Sequence, residues 1–186
     1  MNRTLQMAKE AMANAELVFS RQQVEDALDK MAEAISKRLR HADPLVLVVM
    51  NGGLIPAGML LPRLVFPLKL DYIHATRYRE RTFGADLHWR KKPDEELRDR
   101  TLLIIDDILD EGYTLEAIID YCRKSGASEV LTAVLVKKAH LRGNALEADF
   151  TGLVAPDRYL FGYGMDYQGY WRNVPGIYAV SEGESI

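Results

Sequence analysis

The chain has 186 residues, of which 48% are hydrophobic and 27% are charged, and its formal net charge at pH 7 is −3. This composition predicts one globular domain with a sizeable core. The small negative charge, without any basic run, argues against a nucleic-acid partner. The sequence has no apolar segment of the length that a signal peptide or a membrane span needs, so we expect a soluble cytoplasmic protein. Its only cysteine, Cys122, excludes an intrachain disulfide.

The N-terminal part of the chain predicts helices followed by a buried strand. A weak helical pattern covers residues 5–18. A stronger helical stripe covers residues 20–39, where Ser20 and Gln23 form a capping-box pattern. The wholly apolar run over residues 45–50 is typical of a strand that is covered on both faces.

The middle of the chain continues this alternation. Residues 54–64 look helical, and residues 68–78 predict a second strand. Residues 79–100 are highly polar and show no stable period, which predicts a long mobile loop and a turn. An apolar strand then starts at Thr101, and a helix is expected over residues 114–124.

The C-terminal part contains further strands. One covers residues 129–138, and strand-like runs at 149–155, 158–164 and 176–182 alternate with turns. Alternating strands and helices predict an α/β fold with a mostly parallel central sheet flanked by helices. The sequence shows no linker, so residues 1–186 are expected to form a single domain.

The strand that starts at Thr101 ends in an unusual group of acids. Asp106 and Asp107 follow its apolar run, and a second acid pair comes three residues later, before a glycine and Thr114. Like charges this close repel each other unless a cation or strong donors hold them. The backbone N–H groups of the following helix start suit a phosphate. A ligand with both a phosphate and vicinal hydroxyls would satisfy both features; alternatively, the two acids form a solvated turn and a helix N-cap.

Other phosphate-binding and metal-binding patterns are missing from the sequence. It contains no GxxxxGK[ST] loop, and the "GYG" at residues 162–164 lacks the third glycine of a dinucleotide fingerprint. The four histidines show no metal-ligand spacing.

The stretch "LLIIDDILDEGYTL" resembles the phosphoribosyl-pyrophosphate (PRPP) signature of the type I phosphoribosyltransferases. "VMNGG", "LVKK" and the stretch from "DFTGLVA" to "GIYAV" are similar to the pyrophosphate loop, the base-contacting lysine strand and the C-terminal hood of the hypoxanthine-guanine phosphoribosyltransferases. The resemblance implies a type I phosphoribosyltransferase-like fold, with a core over about residues 16–150 and a small hood over about residues 151–186.

The resemblance also implies roles for residues that would hold the phosphoribosyl group. Asp106 and Asp107 match the acids that hold the ribose hydroxyls, directly or through Mg²⁺, and Asp166 matches a second Mg²⁺ ligand. The expected 5′-phosphate loop consists of Glu111, Gly112, Tyr113 and Thr114. Glu111 departs from the threonine or serine of many members, and its carboxylate should point away from the phosphate.

A second set of residues matches positions that contact the purine. Asp110 matches the proposed general base near purine N7, and Lys137 the lysine that contacts the oxygen at purine position 6. Tyr159 matches the ring that stacks on the base, and Leu160 the residue whose backbone meets the base edge.

A third set matches the pyrophosphate site. Its members are Asn51, Gly52 and Gly53, Arg172, and two residues of the mobile catalytic loop, Arg77 and Tyr78. Arg77 stands where the family carries a serine. The resemblance further implies a cis peptide bond at Met50–Asn51, and the polar segment from about Thr76 to Arg90 is expected to close as a lid.

The implied function is purine salvage. The enzyme would transfer the phosphoribosyl group of PRPP to hypoxanthine or guanine and release IMP or GMP and pyrophosphate, with Mg²⁺ as cofactor. A homo-oligomer, either a dimer or a tetramer, is expected, with neither membrane nor nucleic acid as a partner. Two alternatives are a xanthine-preferring enzyme and a PRPP-sensing regulator, which would need a basic face or an added helix-turn-helix segment.

Overall fold

The computed structural model describes residues 2–76, 88–140, 142–144 and 146–181. The helices are α1 (Arg3–Asn14), α2 (Arg21–Leu39), α3 (Leu54–Leu60) and α4 (Tyr113–Lys124), with a 3-10 turn (Leu61–Arg63) after α3. The strands are β1 (Glu16–Ser20), β2 (Leu45–Val49), β3 (Lys69–Thr76), β4 (His88–Lys91), β5 (Thr101–Leu109), β6 (Glu129–Lys138), β7 (Phe150–Ala155), β8 (Leu160–Phe161) and β9 (Gly176–Ala179). In these described ranges, no helix is long and apolar enough to cross a membrane.

Six strands form the main sheet in the order β4-β3-β2-β5-β6-β7. All neighbours pair in parallel except β4, which lies antiparallel to β3 at the edge. The predicted α/β fold with a mostly parallel sheet is therefore confirmed. Because parallel strands end at one edge of a sheet, the loops that follow β2, β5 and β6 come together there.

The main sheet is covered on both faces, and β2 shows this most clearly. All five of its residues are buried. Val46 and Val48 pack in the cluster that contains α2 and α3 residues, whereas Leu45, Leu47 and Val49 pack in the cluster that contains α4 residues. The prediction of a strand covered on both faces is confirmed, and it explains why this run has no alternating polar residue.

Helix α2 begins as its sequence predicted. The Ser20 side chain accepts a hydrogen bond from the Gln23 N–H, and the Gln23 side chain accepts one from the Ser20 N–H at 2.9 Å. This capping box satisfies N–H groups that have no partner within the helix.

The prediction of one helix over residues 5–18 is wrong at its C-terminal end. Helix α1 ends at Asn14, and residues 16–20 form β1, which pairs antiparallel with β9. Ser20 must take extended backbone angles to cap α2, and β9 supplies a partner for the residues just before it. This pairing, more than 150 positions away in sequence, outweighs the weak local helical pattern.

A three-stranded sheet in the order β1-β9-β8 forms the smaller second layer. Its boundary differs from the hood predicted at residues 151–186, because β7 pairs in parallel with β6 in the main sheet. The small sheet instead takes β1 from the N-terminal part of the chain. Phe161 is fully buried in this layer and stacks on Tyr178, with ring centroids 5.7 Å apart.

The polar segment at 79–100, predicted as a loop and a turn, contains strand β4. Trp89 in β4 packs against Tyr121 of α4, with ring centroids 4.8 Å apart, and this contact explains an edge strand in so polar a stretch. Arg77 and Tyr78, and most of the predicted lid, lie outside the described residues, so their roles stay predictions.

Candidate functional site

A cavity of about 640 Å³ opens at the carboxyl ends of the parallel strands. Loops after β2 and β5, the end of β3 and part of the C-terminal segment surround it. Eleven residues predicted from the sequence line it: Asn51, Gly52, Asp106, Asp107, Asp110, Glu111, Gly112, Tyr113, Thr114, Asp166 and Arg172. A groove of about 770 Å³ lies elsewhere, beside α2, and none of the predicted site residues that the structure describes lines it.

Asp106 and Asp107 lie within β5, which continues to Leu109. The sequence suggested that the strand ends where the acids begin. The strand instead continues through both acids. Asp107 is 8% exposed, and its carboxylate accepts a hydrogen bond from the Ile108 N–H at 2.8 Å. Asp106 accepts one from the Asp107 N–H at 2.9 Å. The alternative of a solvated turn and N-cap is wrong for these two acids, since both lie in a strand and Asp107 is buried.

The acid pair is electrostatically costly. Burial, and then the neighbouring carboxylate of Asp107, raise the pKa of Asp106 well above its usual range. Burial also raises the pKa of Asp107, although a hydrogen bond with Asp106 and the charge of Arg172 oppose this. Two carboxylates in such a place favour the approach of a cation or of hydroxyl donors.

Arg172 supplies positive charge beside these acids. Its guanidinium forms an ion pair with Asp166, and its Nη1 atom lies 3.9 Å from Asp107 Oδ2. Nη1 also donates to the Gly164 carbonyl, while the Gly164 N–H donates to the Arg172 carbonyl at 3.0 Å. These contacts place Arg172 in the cavity and not on an open surface.

The loop after β2 approaches Asp107 so closely that only glycine fits. The Met50–Asn51 peptide bond is cis, as predicted. A Cβ atom at Gly52 would lie 2.3 Å from Asp107 Oδ2. Gly53 was predicted to contact pyrophosphate, but it does not line the cavity. It is buried, and its N–H donates to the Val49 carbonyl at 2.8 Å. Of the three predicted residues of this loop, Asn51 and Gly52 line the cavity, and Met50 lines it beside them.

The loop before α4 is braced by a residue that sequence reasoning missed, Asn144. The Asn144 N–H donates to the Glu111 carbonyl at 3.0 Å, and its side-chain amide donates to Glu116 at 2.8 Å. Gly112 precedes the helix with φ +81°, and α4 begins at Tyr113. The loop thus presents a helix start to the cavity, which suits an anion.

Asp110 has two partners that the sequence-based roles did not include. Its Oδ2 atom lies 2.6 Å from Lys138 Nζ, and its Oδ1 atom lies 2.7 Å from His140 Nε2. Partial burial raises the pKa of Asp110, but the hydrogen bonds from Lys138 and His140 outweigh it, so the pKa lies below its usual range. Asp110 is therefore held as a carboxylate, unlike the Asp106 and Asp107 pair.

Three predicted base-contacting residues, all of them described, are absent from the cavity lining. Lys137 forms an ion pair with Glu147. Tyr159 is half-buried against Tyr167, with ring centroids 5.7 Å apart, and Leu160 is buried in β8. The roles of Lys137, Tyr159 and Leu160 stay predictions.

We expect Gly112→Ala to damage the loop before α4. Its Cβ atom would lie 2.1 Å from Asn144 Oδ1 at a left-handed backbone position, so roughly 1–3 kcal/mol of stability should be lost. Gly58→Ala is the matched control, because a Cβ atom there meets no atom within 4 Å. Thermal unfolding measures the stability of both variants, and an equal Tm for Gly112→Ala and Gly58→Ala would contradict the prediction.

We expect Asp106→Asn to stabilise the protein at pH 8 and so to raise its Tm. Because the pKa of Asp106 is raised, its contribution to stability is present below the unfolded pKa and is lost as pH rises. The gain should therefore shrink towards pH 4.

Asp110→Asn is the control of opposite sign. Because the pKa of Asp110 is lowered, its stabilising contribution is present above the unfolded pKa, and the variant should lower Tm at pH 8. Thermal unfolding between pH 4 and pH 8, without divalent ions, measures both variants. If both variants change Tm in the same direction at pH 8, the opposite pKa shifts of Asp106 and Asp110 are refuted.

Known proteins share both the sequence pattern and the fold. The chain is 29% identical over 162 residues to the bifunctional protein TilS/HprT of Listeria innocua, covering 87% of this chain but only 25% of that protein. It is 28% identical over 171 residues to the hypoxanthine-guanine phosphoribosyltransferase of Aquifex aeolicus, covering 89% of this chain and 94% of the relative. A crystal structure of a hypoxanthine phosphoribosyltransferase from Staphylococcus aureus has the same fold, with a TM-score of 0.84 at 23% identity, covering 97% of this chain and 96% of that chain.

The family match covers the site as well as the sheet. Residues 14–168 match the phosphoribosyl transferase domain family. That range contains β1 to β8, the acid pair and the loop before α4. The chain therefore belongs to the phosphoribosyl transferase family.

Proposed function

We propose that this protein is a purine salvage enzyme that transfers the phosphoribosyl group of PRPP to hypoxanthine or guanine, giving IMP or GMP and pyrophosphate. The observation that carries the proposal is that one cavity holds the Asp106 and Asp107 pair, an anion-suited helix start and the ionised Asp110. Relatives such as the Aquifex aeolicus protein carry the name of this activity.

Different residues around the cavity bind different groups of PRPP. Asp106 and Asp107 accept hydrogen bonds from the ribose hydroxyls. The backbone from Glu111 to Thr114 binds the 5′-phosphate at the start of α4. The loop of Asn51 and Gly52 binds the pyrophosphate. Arg172 lines the same cavity and neutralises part of the negative charge of the pyrophosphate.

In the reaction, the bond between ribose C1 and the pyrophosphate oxygen breaks and the bond between C1 and purine N9 forms. Positive charge develops on the ribose ring, and negative charge develops on the leaving pyrophosphate. Backbone N–H groups held in place at the cavity wall can stabilise such charge by several kcal/mol when water is excluded. As N9 attacks, the Asp110 carboxylate accepts the proton that purine N7 loses.

The cavity chemistry fits Mg²⁺. Asp106, Asp107 and Asp166 are carboxylates, the ligand type that Mg²⁺ prefers, and the raised pKa of Asp106 indicates a place that gains from added positive charge. Bound Mg²⁺ would neutralise the pyrophosphate as it leaves. The chain's own residues hold the carboxylates in place, through the Asp107 and Ile108 N–H groups for the acid pair.

We propose that a lysine at the end of β6 contacts the purine oxygen, and Lys138 is a second candidate beside the predicted Lys137. Successive side chains of a strand point to opposite faces, so only one of the two lysines can face the cavity end of β6. Lys138 lies 2.6 Å from Asp110 and its side chain is 11% exposed. Since N7 and the oxygen at position 6 lie side by side on a purine, a lysine next to Asp110 can reach that oxygen.

The remaining parts of the proposal concern location and assembly. We expect a cytoplasmic homo-oligomer, with a dimer as the default state of such a chain. A xanthine-preferring enzyme and a PRPP-sensing regulator are the competing functions. A panel of bases separates all three, because a regulator binds PRPP without turnover and a xanthine enzyme prefers xanthine.

We predict strong use of hypoxanthine and guanine and negligible use of adenine. A lysine ammonium has donors but no acceptor, so the adenine amino group would leave a donor unpaired, which costs roughly 10⁴-fold in kcat/KM. Substitution by alanine of the lysine that contacts the oxygen, Lys137 or Lys138, should lower kcat/KM for both oxopurines by roughly 10–100-fold. Lys137→Ala and Lys138→Ala are compared as a matched pair, and the variant with the larger loss of kcat/KM identifies the lysine that contacts the oxygen.

Steady-state assays with PRPP and each base test these statements. Adenine turnover comparable to that of hypoxanthine would end the proposal for oxopurines. Unchanged kcat/KM in both Lys137→Ala and Lys138→Ala would rule out a lysine contact with the oxygen.

We predict that excess chelator abolishes turnover and that added Mg²⁺ restores it. Asp166→Asn should lower kcat while leaving the far-ultraviolet circular dichroism spectrum unchanged, because Asp166 is only half-buried and lies in a loop. Full activity in excess chelator would rule out the proposed metal.

A further inference from the structure

His140 is a buried polar side chain for which neither the reaction nor the family pattern supplies a role. Its side chain is 7% exposed and follows strand β6 by two residues. Its Nε2 atom lies 2.7 Å from Asp110 Oδ1, and its Nδ1 atom accepts a hydrogen bond from the Arg142 N–H at 3.1 Å.

These two contacts determine which ring nitrogen of His140 carries the proton. Because Nδ1 accepts from a backbone N–H, it cannot carry a proton itself. The ring proton therefore lies on Nε2, which donates to the Asp110 carboxylate. The short loop after β6 thus holds the ring in one tautomer and aims its N–H at one oxygen of Asp110.

We propose that His140 is a positioning residue that fixes the Asp110 carboxylate in the orientation needed to accept the purine N7–H. The proposal rests on the function proposed above. His140 binds one oxygen of Asp110 and Lys138 binds the other, so the carboxylate cannot rotate freely. Each carboxylate oxygen has two acceptor sites, so one site on each oxygen is still available for the N7–H. His140 keeps its own proton throughout.

The charged groups around the ring agree with this role. Ligand atoms of Asp110, His140 and Asp157 lie within 4.8 Å of one another, as in some metal sites. However, Asp110 already pairs with Lys138, and Asp157 pairs with Arg142. A metal ion would have to displace these cations and remove the proton from Nε2, so the geometry favours a hydrogen-bonded network.

Two substitutions separate the two contacts of the ring. In His140→Gln, the amide nitrogen can take the place of Nε2 and keep the donor to Asp110. In His140→Asn, the amide oxygen can take the place of Nδ1 and keep the acceptor for the Arg142 N–H, but the donor to Asp110 is lost. If His140 only caps the turn, the asparagine variant should keep its activity. If His140 positions Asp110, the glutamine variant should keep its activity.

The experiment measures hypoxanthine turnover by the full chain with PRPP and Mg²⁺ between pH 5 and pH 9. We expect His140→Gln to stay within about threefold of the unmodified protein, and His140→Asn to lose roughly tenfold in kcat with little change in the KM for PRPP. The acid limb of the His140→Asn profile should move to higher pH, because Asp110 loses a donor to its charged form.

A second measurement does not depend on turnover. The carboxyl carbon of Asp110, observed by ¹³C NMR without substrate, should titrate at higher pH in His140→Asn than in His140→Gln or the unmodified protein. If the unmodified protein shows no turnover, the proposed function fails, and this titration still decides whether His140 holds the Asp110 carboxylate.

Three results would overturn the proposal. One is full activity in His140→Asn together with loss in His140→Gln, which identifies a turn cap. Another is an unchanged titration of Asp110 in both variants. The third is calorimetric binding of one Zn²⁺ per chain that Asp157→Asn abolishes, which identifies a metal site.

Discussion

Asp107 is 8% exposed and lies next to Asp106 in the central strand β5, so the fold holds two carboxylates where water screens them poorly. The rest of the cavity is arranged around this pair. Gly52 has no side chain because Asp107 takes up that space, and Arg172 brings positive charge to the same carboxylate. Such a pair destabilises the empty fold and gains stability from ligands that bring hydroxyl donors or cations. The proposed PRPP site therefore costs stability that its ligand restores.

Asp110 lies three residues after Asp107, and its surroundings favour the charged carboxylate instead of the neutral acid. Lys138 and His140 donate to its two oxygens, and its pKa is lowered where the pKa of Asp106 is raised. Acidic residues whose surroundings shift their pKa values in opposite directions commonly have different chemical roles in one site. Here the buried pair suits the proposed contacts with the ribose and Mg²⁺, while the ionised Asp110 suits the proposed contact with the purine N7–H. One strand end thus provides both kinds of carboxylate.

Local patterns predicted much of the main sheet. The unbroken apolar run at residues 45–50, the capping box of α2 and the start of α4 each depend on neighbours within a few positions, so the sequence alone revealed them. Strand β1 was missed because its partner β9 lies about 160 positions away, and a weak helical pattern covers the same residues. Strand β7 was placed in the hood because its strand pattern does not say which sheet it joins. Polar β4 shows no strand pattern at all, and its contact of Trp89 with Tyr121 exists only in the folded chain.

The same distinction holds for the site. The order of acids, glycine and threonine after Thr101 predicted a ligand with a phosphate and vicinal hydroxyls, because those residues meet within one strand, loop and helix start. The adjacent lysines Lys137 and Lys138 are equivalent in sequence, and only the pairing of β5 with β6 decides which of them meets Asp110. Asn144 and His140 have no recognisable pattern, because their partners, Glu111 and Asp110, lie about 30 residues earlier in the chain. Residues that act through neighbours in the chain can be found from the sequence, whereas those that act through contacts between distant segments depend on the register and packing of the folded protein.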